Sequence, residues 1–169
     1  MSENTHFEKV KEFYKAFDQF IPVGHASLES VIIPEDRVHL KMNLIAEEFI
    51  ELVEAVYGLE SGKVLHKAWA EAQILDEENR DIIETADALA DLDYVINGFA
   101  IEACIDLDKV FDEVHASNMS KLDDEGRPIL SDGVTPAPDG QVKPIGKILK
   151  GSNFREPDIK KVLNANPIK

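Results

Sequence analysis

Glu47, Glu48, Glu51 and Glu54 stand at relative positions 0, +1, +4 and +7 in a stretch whose apolar residues recur at helical spacing. At ~100° per residue that spacing gathers the carboxylates into a strip along one side of a helix. Acidic side chains three and four apart, with no Lys or Arg between them, repel one another, so helix stability alone disfavours the pattern. A cation relieves it. A second set, Glu84, Asp87 and Asp91 at 0, +3 and +7, falls in the most apolar helical stretch of the chain. Carboxylates embedded among apolar residues need partners, and a divalent metal is the natural one where basic residues are missing nearby. All-oxygen donors select hard ions, which points to Mg²⁺ or Mn²⁺ rather than Zn²⁺ or Cu²⁺. A di-iron bundle would add Glu-x-x-His pairs, and neither acidic strip contains a His. A merely solvated face is a sufficient account of Glu54 and of Asp93, which points away from the Asp87/Asp91 line.

The elements that must carry these strips are helices. Thr5 and Glu8 read as a capping box opening a first helix, on which Phe7, Val10, Phe13, Tyr14 and Phe17 form an aromatic stripe expected to pack in a core. Residues 21–33 read as a connector. Pro34, Glu35 and Asp36 suit the start of a second helix running to Gly58, with the first carboxylate strip near its middle. A third helix is expected from about Lys63, after a break at Ser61-Gly62, to Leu75. The fourth, about Arg80–Cys104, is apolar around much of its circumference, which implies burial on more than one side, at a bundle centre or a dimer seam. Asp106 can cap a fifth helix ending near Ser117. From Leu122 to Pro157 turn pairs such as Glu125-Gly126, Asp132-Gly133 and Asp139-Gly140 predict loops with a short hairpin, and a last short helix follows Pro157. The fold expected is an all-α antiparallel bundle of five to six helices. Residues 1–121 would form the helical catalytic body and 122–169 a loop-rich basic extension packing on the same domain.

Bulk properties exclude several classes. The chain has 169 residues, a formal charge of −15 and a single cysteine, Cys104, so neither an intrachain disulfide nor a Cys-rich metal site is available. A strongly acidic chain is a poor binder of nucleic-acid polymers, but an acidic pocket can hold a polyphosphate through a divalent ion. The N-terminus lacks the apolar run of a signal peptide and no stretch is apolar enough to span a membrane, so a cytoplasmic location is expected. Charge is unevenly spread: residues 141–169 hold seven Lys/Arg against Glu156 and Asp158. Such a basic tail serves either as a solvated segment or as a cover over an anionic substrate or the acidic body.

The run Leu44-Ile-Ala-Glu-Glu-Phe-Ile-Glu51, followed after 32 intervening residues by Glu84-Thr-Ala-Asp-Ala-Leu-Ala-Asp-Leu-Asp-Tyr-Val95, resembles the all-α nucleoside triphosphate pyrophosphatase superfamily. Its members include MazG proteins, dimeric dUTPases and phosphoribosyl-ATP pyrophosphohydrolases. Glu113-Val-His-Ala-Ser-Asn-Met-Ser-Lys121 and Gly146-Lys-Ile-Leu-Lys-Gly-Ser-Asn-Phe-Arg155 are similar to the closing segments of the MazG-like and dUTPase-like branches. In one respect the chain departs from the pattern, since Ala88 stands where the second acidic helix of the family has Glu. Two second pairs are therefore open: Asp87 with Asp91 and Glu84 close by, or Glu84 with Asp87.

The resemblance implies hydrolysis of a (deoxy)nucleoside triphosphate to the monophosphate and pyrophosphate, as in nucleotide-pool sanitation. In that reading Glu48, Glu51, Asp87 and Asp91, with Glu84, hold two or more Mg²⁺ or Mn²⁺ ions, and Glu47 orients or deprotonates the attacking water. Asn118 and Lys121 are the expected phosphate contacts, joined by Lys147, Lys150 and Arg155 if the tail closes over the site; a structural role suits His115 better. Trp69, Phe17, Phe20 and Tyr94 are suited equally to stacking on a base and to a core or subunit interface. A homodimer or homotetramer is expected. The alternatives are phosphoribosyl-ATP hydrolysis, a non-catalytic helical dimerisation or regulatory module, and a metal-storage bundle.

Overall fold

A computed structural model of the chain describes residues 5–21, 35–138 and 140–165. Six helices and no strand stand among them, as an all-α fold requires: α1 (His6–Ala16), α2 (Glu35–Tyr57), α3 (Leu59–Ile74), α4 (Ile82–Glu102), α5 (Leu107–Met119) and α6 (Ile159–Ala165). The chain divides into two compact units, Met1–Gly24 with Asp91–Lys169, and His25–Ala90. The boundary falls inside α4. Pro34 and all but Ile21 of the expected connector lie outside the described residues.

In the unit His25–Ala90, α2 and α3 form a hairpin joined through Gly58 alone, whose φ of 96° is open to glycine at little cost. The third helix thus begins at Leu59, and Ser61-Gly62 is no break. Gly62 is buried inside the helix because the Glu54 side chain lies against it: a Cβ there would come within 2.1 Å of Glu54 Oε1. The glycine serves close packing between helices, a role that looks the same in sequence as a helix stop. Further along the hairpin, Trp69 is half-buried and its indole N–H donates to Asn43 Oδ1 at 2.8 Å. Asp76 then fixes the α3–α4 turn, accepting from both Arg80 terminal nitrogens at 2.7 and 2.6 Å and from the Glu78 amide at 2.9 Å. These bonds, the Arg80 fork first, pull the Asp76 carboxyl down to about 2. Asp81 caps α4 by accepting from the amides of Ile83 and Glu84 at 2.9 and 3.1 Å.

In the other unit, Thr5 caps α1 through the Glu8 amide at 3.3 Å, and Asp106 caps α5 through the Lys109 amide at 3.2 Å. The residues α1 turns to α5 include His6, Lys9 and Glu12, one residue out of phase with part of the expected stripe. His6 stacks on Phe111 with ring centroids 3.8 Å apart and meets Asp108 at 3.0 Å; Lys9 pairs with Asp112 and His115 with Glu12. Phe17 is fully buried and stacked on Phe13, whereas Phe7 is 74% exposed. Ion pairs toward α5 set the helix's rotation, so an all-apolar stripe misplaces its inner face.

Residues 122–157 form loops held by isolated bridges, Leu122 with Pro128, Leu130 with Ile148 and Pro136 with Val142, rather than a hairpin. Gly126, Gly133 and Gly140 all take positive φ, as turn pairs require. Asp132 closes one turn by accepting from the Thr135 hydroxyl at 2.6 Å and from the Thr135 and Val134 amides, which hold its carboxyl at about 2.

Among the described residues much of the apolar surface of α4 is exposed. Ala100 is the buried residue of this helix, while Tyr94 is 81%, Ile101 70% and Ile96 47% exposed. None of the described helices is long and apolar enough to cross a membrane.

Candidate functional site

The carboxylate strip on α2 is flanked along one edge by residues that anchor its helix. Ile50 is buried at 3% exposure and Asn43 is tied to Trp69, which leaves Glu47, Glu48 and Glu51 exposed. Among the described residues no Lys, Arg or His pairs with any of the three. Glu54, assigned a lesser role from sequence, is the half-buried member of the set and packs on Gly62.

Glu84, Asp87 and Asp91 lie along α4 and are exposed, contrary to the burial expected from their apolar surroundings. The physical reason is that those apolar neighbours are themselves uncovered. Asp93, the carboxylate expected to stand apart, lies beside Asn97, whose amide donates to the Asp93 carbonyl at 2.8 Å and to its Oδ1 at 3.2 Å. Among the described residues no group of three or more His, Cys, Asp or Glu converges closely enough to enclose a metal ion. The donors are of the right type for a hard cation but do not form a cage.

At the end of α5, Lys121 Nζ donates to Asn118 Oδ1 at 2.8 Å. Burial lowers the pKa of this ammonium, and the nearby charge of Lys150 lowers it further. Lys150 sits over the Phe154 ring at 4.3 Å, with Glu156 4.0 Å away. Asn118, Lys121 and Lys150 are thus neighbours in one unit. Lys147 is exposed and takes part in the Leu130–Ile148 pairing through its carbonyl, which accepts from the Ser131 amide at 2.9 Å. Arg155 is engaged elsewhere, its guanidinium on Glu113.

Three residues to which the sequence reading gave no individual role hold this region together. Glu113, Ser117 and Ser120 stand at 0, +4 and +7 on one side of α5 and all grip the segment around Arg155. That polar strip, read for its spacing, is the signal that would have found them.

A separate cavity of about 610 Å³ in the unit His25–Ala90 is lined by Val38, His39, Met42, Trp69, Asp76 and Arg80 among others. At 3.6 residues per turn, Val38, His39 and Met42 fall on the side of α2 opposite to that of Glu47, Glu48 and Glu51.

A family model described as PRA-PH, phosphoribosyl-ATP pyrophosphohydrolase, matches residues 10–118. The matched span contains both carboxylate strips and ends at Asn118, before the basic tail. None of the curated proteins matches this chain. Among solved structures, that of a candidate NTP pyrophosphohydrolase from Exiguobacterium sp. 255-15 is similar over 95% of this chain and 95% of its own, with 22% sequence identity and a TM-score of 0.62. At that identity the likeness is one of fold.

Proposed function

The chain belongs to the phosphoribosyl-ATP pyrophosphohydrolase family, and from that premise we propose that it converts a (deoxy)nucleoside triphosphate to the monophosphate and pyrophosphate with Mg²⁺ or Mn²⁺. The family supports a hydrolase acting on a nucleotide pyrophosphate bond. The observation that carries the finer reading is the exposed strip Glu47, Glu48 and Glu51, unpaired among the described residues and inside the matched span.

In this reading Glu48 and Glu51 on α2, and Asp87 and Asp91 with Glu84 on α4, supply oxygen donors to two or more ions that enter with the nucleotide. Bound there, the ions would offset charge on the leaving pyrophosphate and lower the pKa of the attacking water. Glu47 borders the donors and takes the water's proton or orients it. Lys121 and Lys150 meet phosphate oxygens, Asn118 steadies Lys121, and Lys147 stands as a further cation along the same tail. Arg155 enters the phosphate site only by leaving Glu113.

A second copy of the chain is the proposed cover for α4. Ile83, Leu89, Leu92, Val95, Ile96 and Phe99 are all exposed on one helix, more apolar surface than a soluble monomer ordinarily leaves in water. A homodimer or homotetramer buries it.

The test is pyrophosphate release from a panel of dUTP, dCTP, dATP, dGTP, dTTP, oxidised and methylated analogues, and phosphoribosyl-ATP, each with Mg²⁺ or Mn²⁺. Release from at least one nucleoside triphosphate is expected. Turnover of phosphoribosyl-ATP alone favours the second reading, the one the matching family model names. No turnover of any substrate leaves a non-catalytic module.

A further inference from the structure

Lys150 lies on a short stretch of chain that is anchored at both ends. Before it, the Leu149 amide donates to the Ile129 carbonyl at 2.8 Å, extending the pairing of Leu130 with Ile148. After it, Gly151 passes so close to the end of α5 that a Cβ there would lie 3.8 Å from the Lys121 carbonyl oxygen and 2.4 Å from Ile129 Cδ1. Asn153 then donates to Asp124 at 2.9 Å, and Arg155 is seized from three sides. Its amide donates to Ser120 Oγ at 3.0 Å, its carbonyl accepts from Ser117 Oγ at 2.7 Å, and its guanidinium donates to Glu113. The same Glu113 oxygen also accepts from the Asp158 amide at 3.0 Å.

One carboxylate therefore closes a latch that fixes the chain on the far side of Lys150. The Arg155 bond first and the Asp158 amide second lower the pKa of this carboxyl, outweighing burial, which raises it. The latch holds two ammonium groups near each other, an arrangement that costs energy in the empty chain and is relieved by an anion. Among the described residues no carboxylate pairs with Lys121, whose bond is to the neutral Asn118. Lys150 has only the exposed Glu156 at 4.0 Å, so together the two lysines keep unmatched positive charge that suits a polyphosphate.

We propose that Glu113 is a positioning residue: by latching Arg155 and the Asp158 amide to α5, it sets Lys150 beside Lys121 and so completes a two-lysine subsite for the pyrophosphate portion of the substrate. The substrate's identity rests on the function proposed above, while the subsite is tested without it.

The test is calorimetric binding of inorganic pyrophosphate to the metal-free full chain at low salt. Wild type is expected to bind, and Lys121→Ala, Lys150→Ala and Glu113→Ala each to bind about fivefold to tenfold more weakly. The double variant Glu113→Ala/Lys150→Ala is expected to be no weaker than the weaker single, because both changes remove the same contact. Arg155→Lys, which keeps a charge on the latch but not the guanidinium bond to Glu113, should recover part of the loss seen with Arg155→Ala. Should Glu113→Ala fold poorly, Ser120→Ala removes only the acceptor of the Arg155 amide and is expected to shift binding in the same direction by a smaller factor. In turnover, Glu113→Ala should raise KM and leave kcat within about twofold, a split that loss of global structure would not produce. Wild-type affinity in Glu113→Ala alongside weakened Lys150→Ala overturns the positioning role, and absence of pyrophosphate binding by wild type overturns the subsite. Absence of hydrolysis with pyrophosphate binding intact overturns the proposed reaction and leaves the latch standing.

Discussion

The two units of this molecule treat their carboxylates in opposite ways. In the unit built from Met1–Gly24 and Asp91–Lys169, acidic residues at helix contacts are matched: Asp108 meets His6, Asp112 meets Lys9, Glu12 meets His115 and Glu113 meets Arg155. In the unit His25–Ala90, Asp76 is matched by Arg80, yet Glu47, Glu48 and Glu51 face solvent with no partner among the described residues. Exposed ion pairs are each worth ~0–1 kcal/mol, so the contrast says little about stability. It says which carboxylates are spoken for. A side chain already holding a neighbour must lose that partner to act on a ligand, whereas the α2 strip relieves its own repulsion by acquiring one.

The contrast is broken most severely by neutralising the strips. Glu51→Ala, and on α4 Asp91→Ala, should abolish pyrophosphate release, a loss of at least about 100-fold in kcat/KM, in proteins whose far-UV circular dichroism is unchanged. Retained turnover in both variants sinks the site.

A change of smaller scope separates the acidic side of α4 from its apolar side. Ile96→Glu places a charge on the proposed contact between copies and should shift the chain toward monomer in sedimentation, by about tenfold or more in dissociation constant. A wild-type chain that already sediments as a monomer removes the reason for the test and the proposal with it.

The smallest effect is a sharpening of the comparison, because each unit has a turn aspartate treated alike. Asp76 and Asp132 both lie at about 2, below the ordinary value of 3.8. A folded-state pKa below the unfolded one means that the stabilisation is fully present above ~4 and is lost as pH falls toward 2. Carboxyl carbon NMR titration of the folded chain should find both midpoints near 2, and Asp76→Asn should flatten acid sensitivity in the α3–α4 turn alone. An ordinary midpoint at either residue shows that its turn is open in solution.

Much of the fold is legible in the residues because its signals are local. Thr5 and Asp106 cap the helices they precede, since a side-chain oxygen two or three residues before an unpaired amide needs no distant partner. The turns at Gly126 and Gly133 follow equally from the positive φ that glycine allows. The errors arise where a residue answers to something far along the chain. Gly62 reads as a helix stop, yet it is a packing site for Glu54; Phe7 reads as core, yet the rotation of α1 is set by His6, Lys9 and Glu12 against α5.

The candidate site divides along the same line. The α2 strip was visible as spacing, because residues three and four apart on a helix are neighbours whatever else the chain does. That Lys150 comes to Lys121, 29 positions earlier, is a matter of tertiary structure. It depends on Glu113, Ser117 and Ser120 gripping a segment 35 to 45 residues away. The sequence by itself determined the helices, their caps and the carboxylate strips without an interleaved Lys or Arg, each a consequence of short-range geometry. Only the tertiary structure decided which charges were already satisfied and which of the tail's cations came to the end of α5, because those outcomes depend on loop paths whose pairing no local propensity encodes.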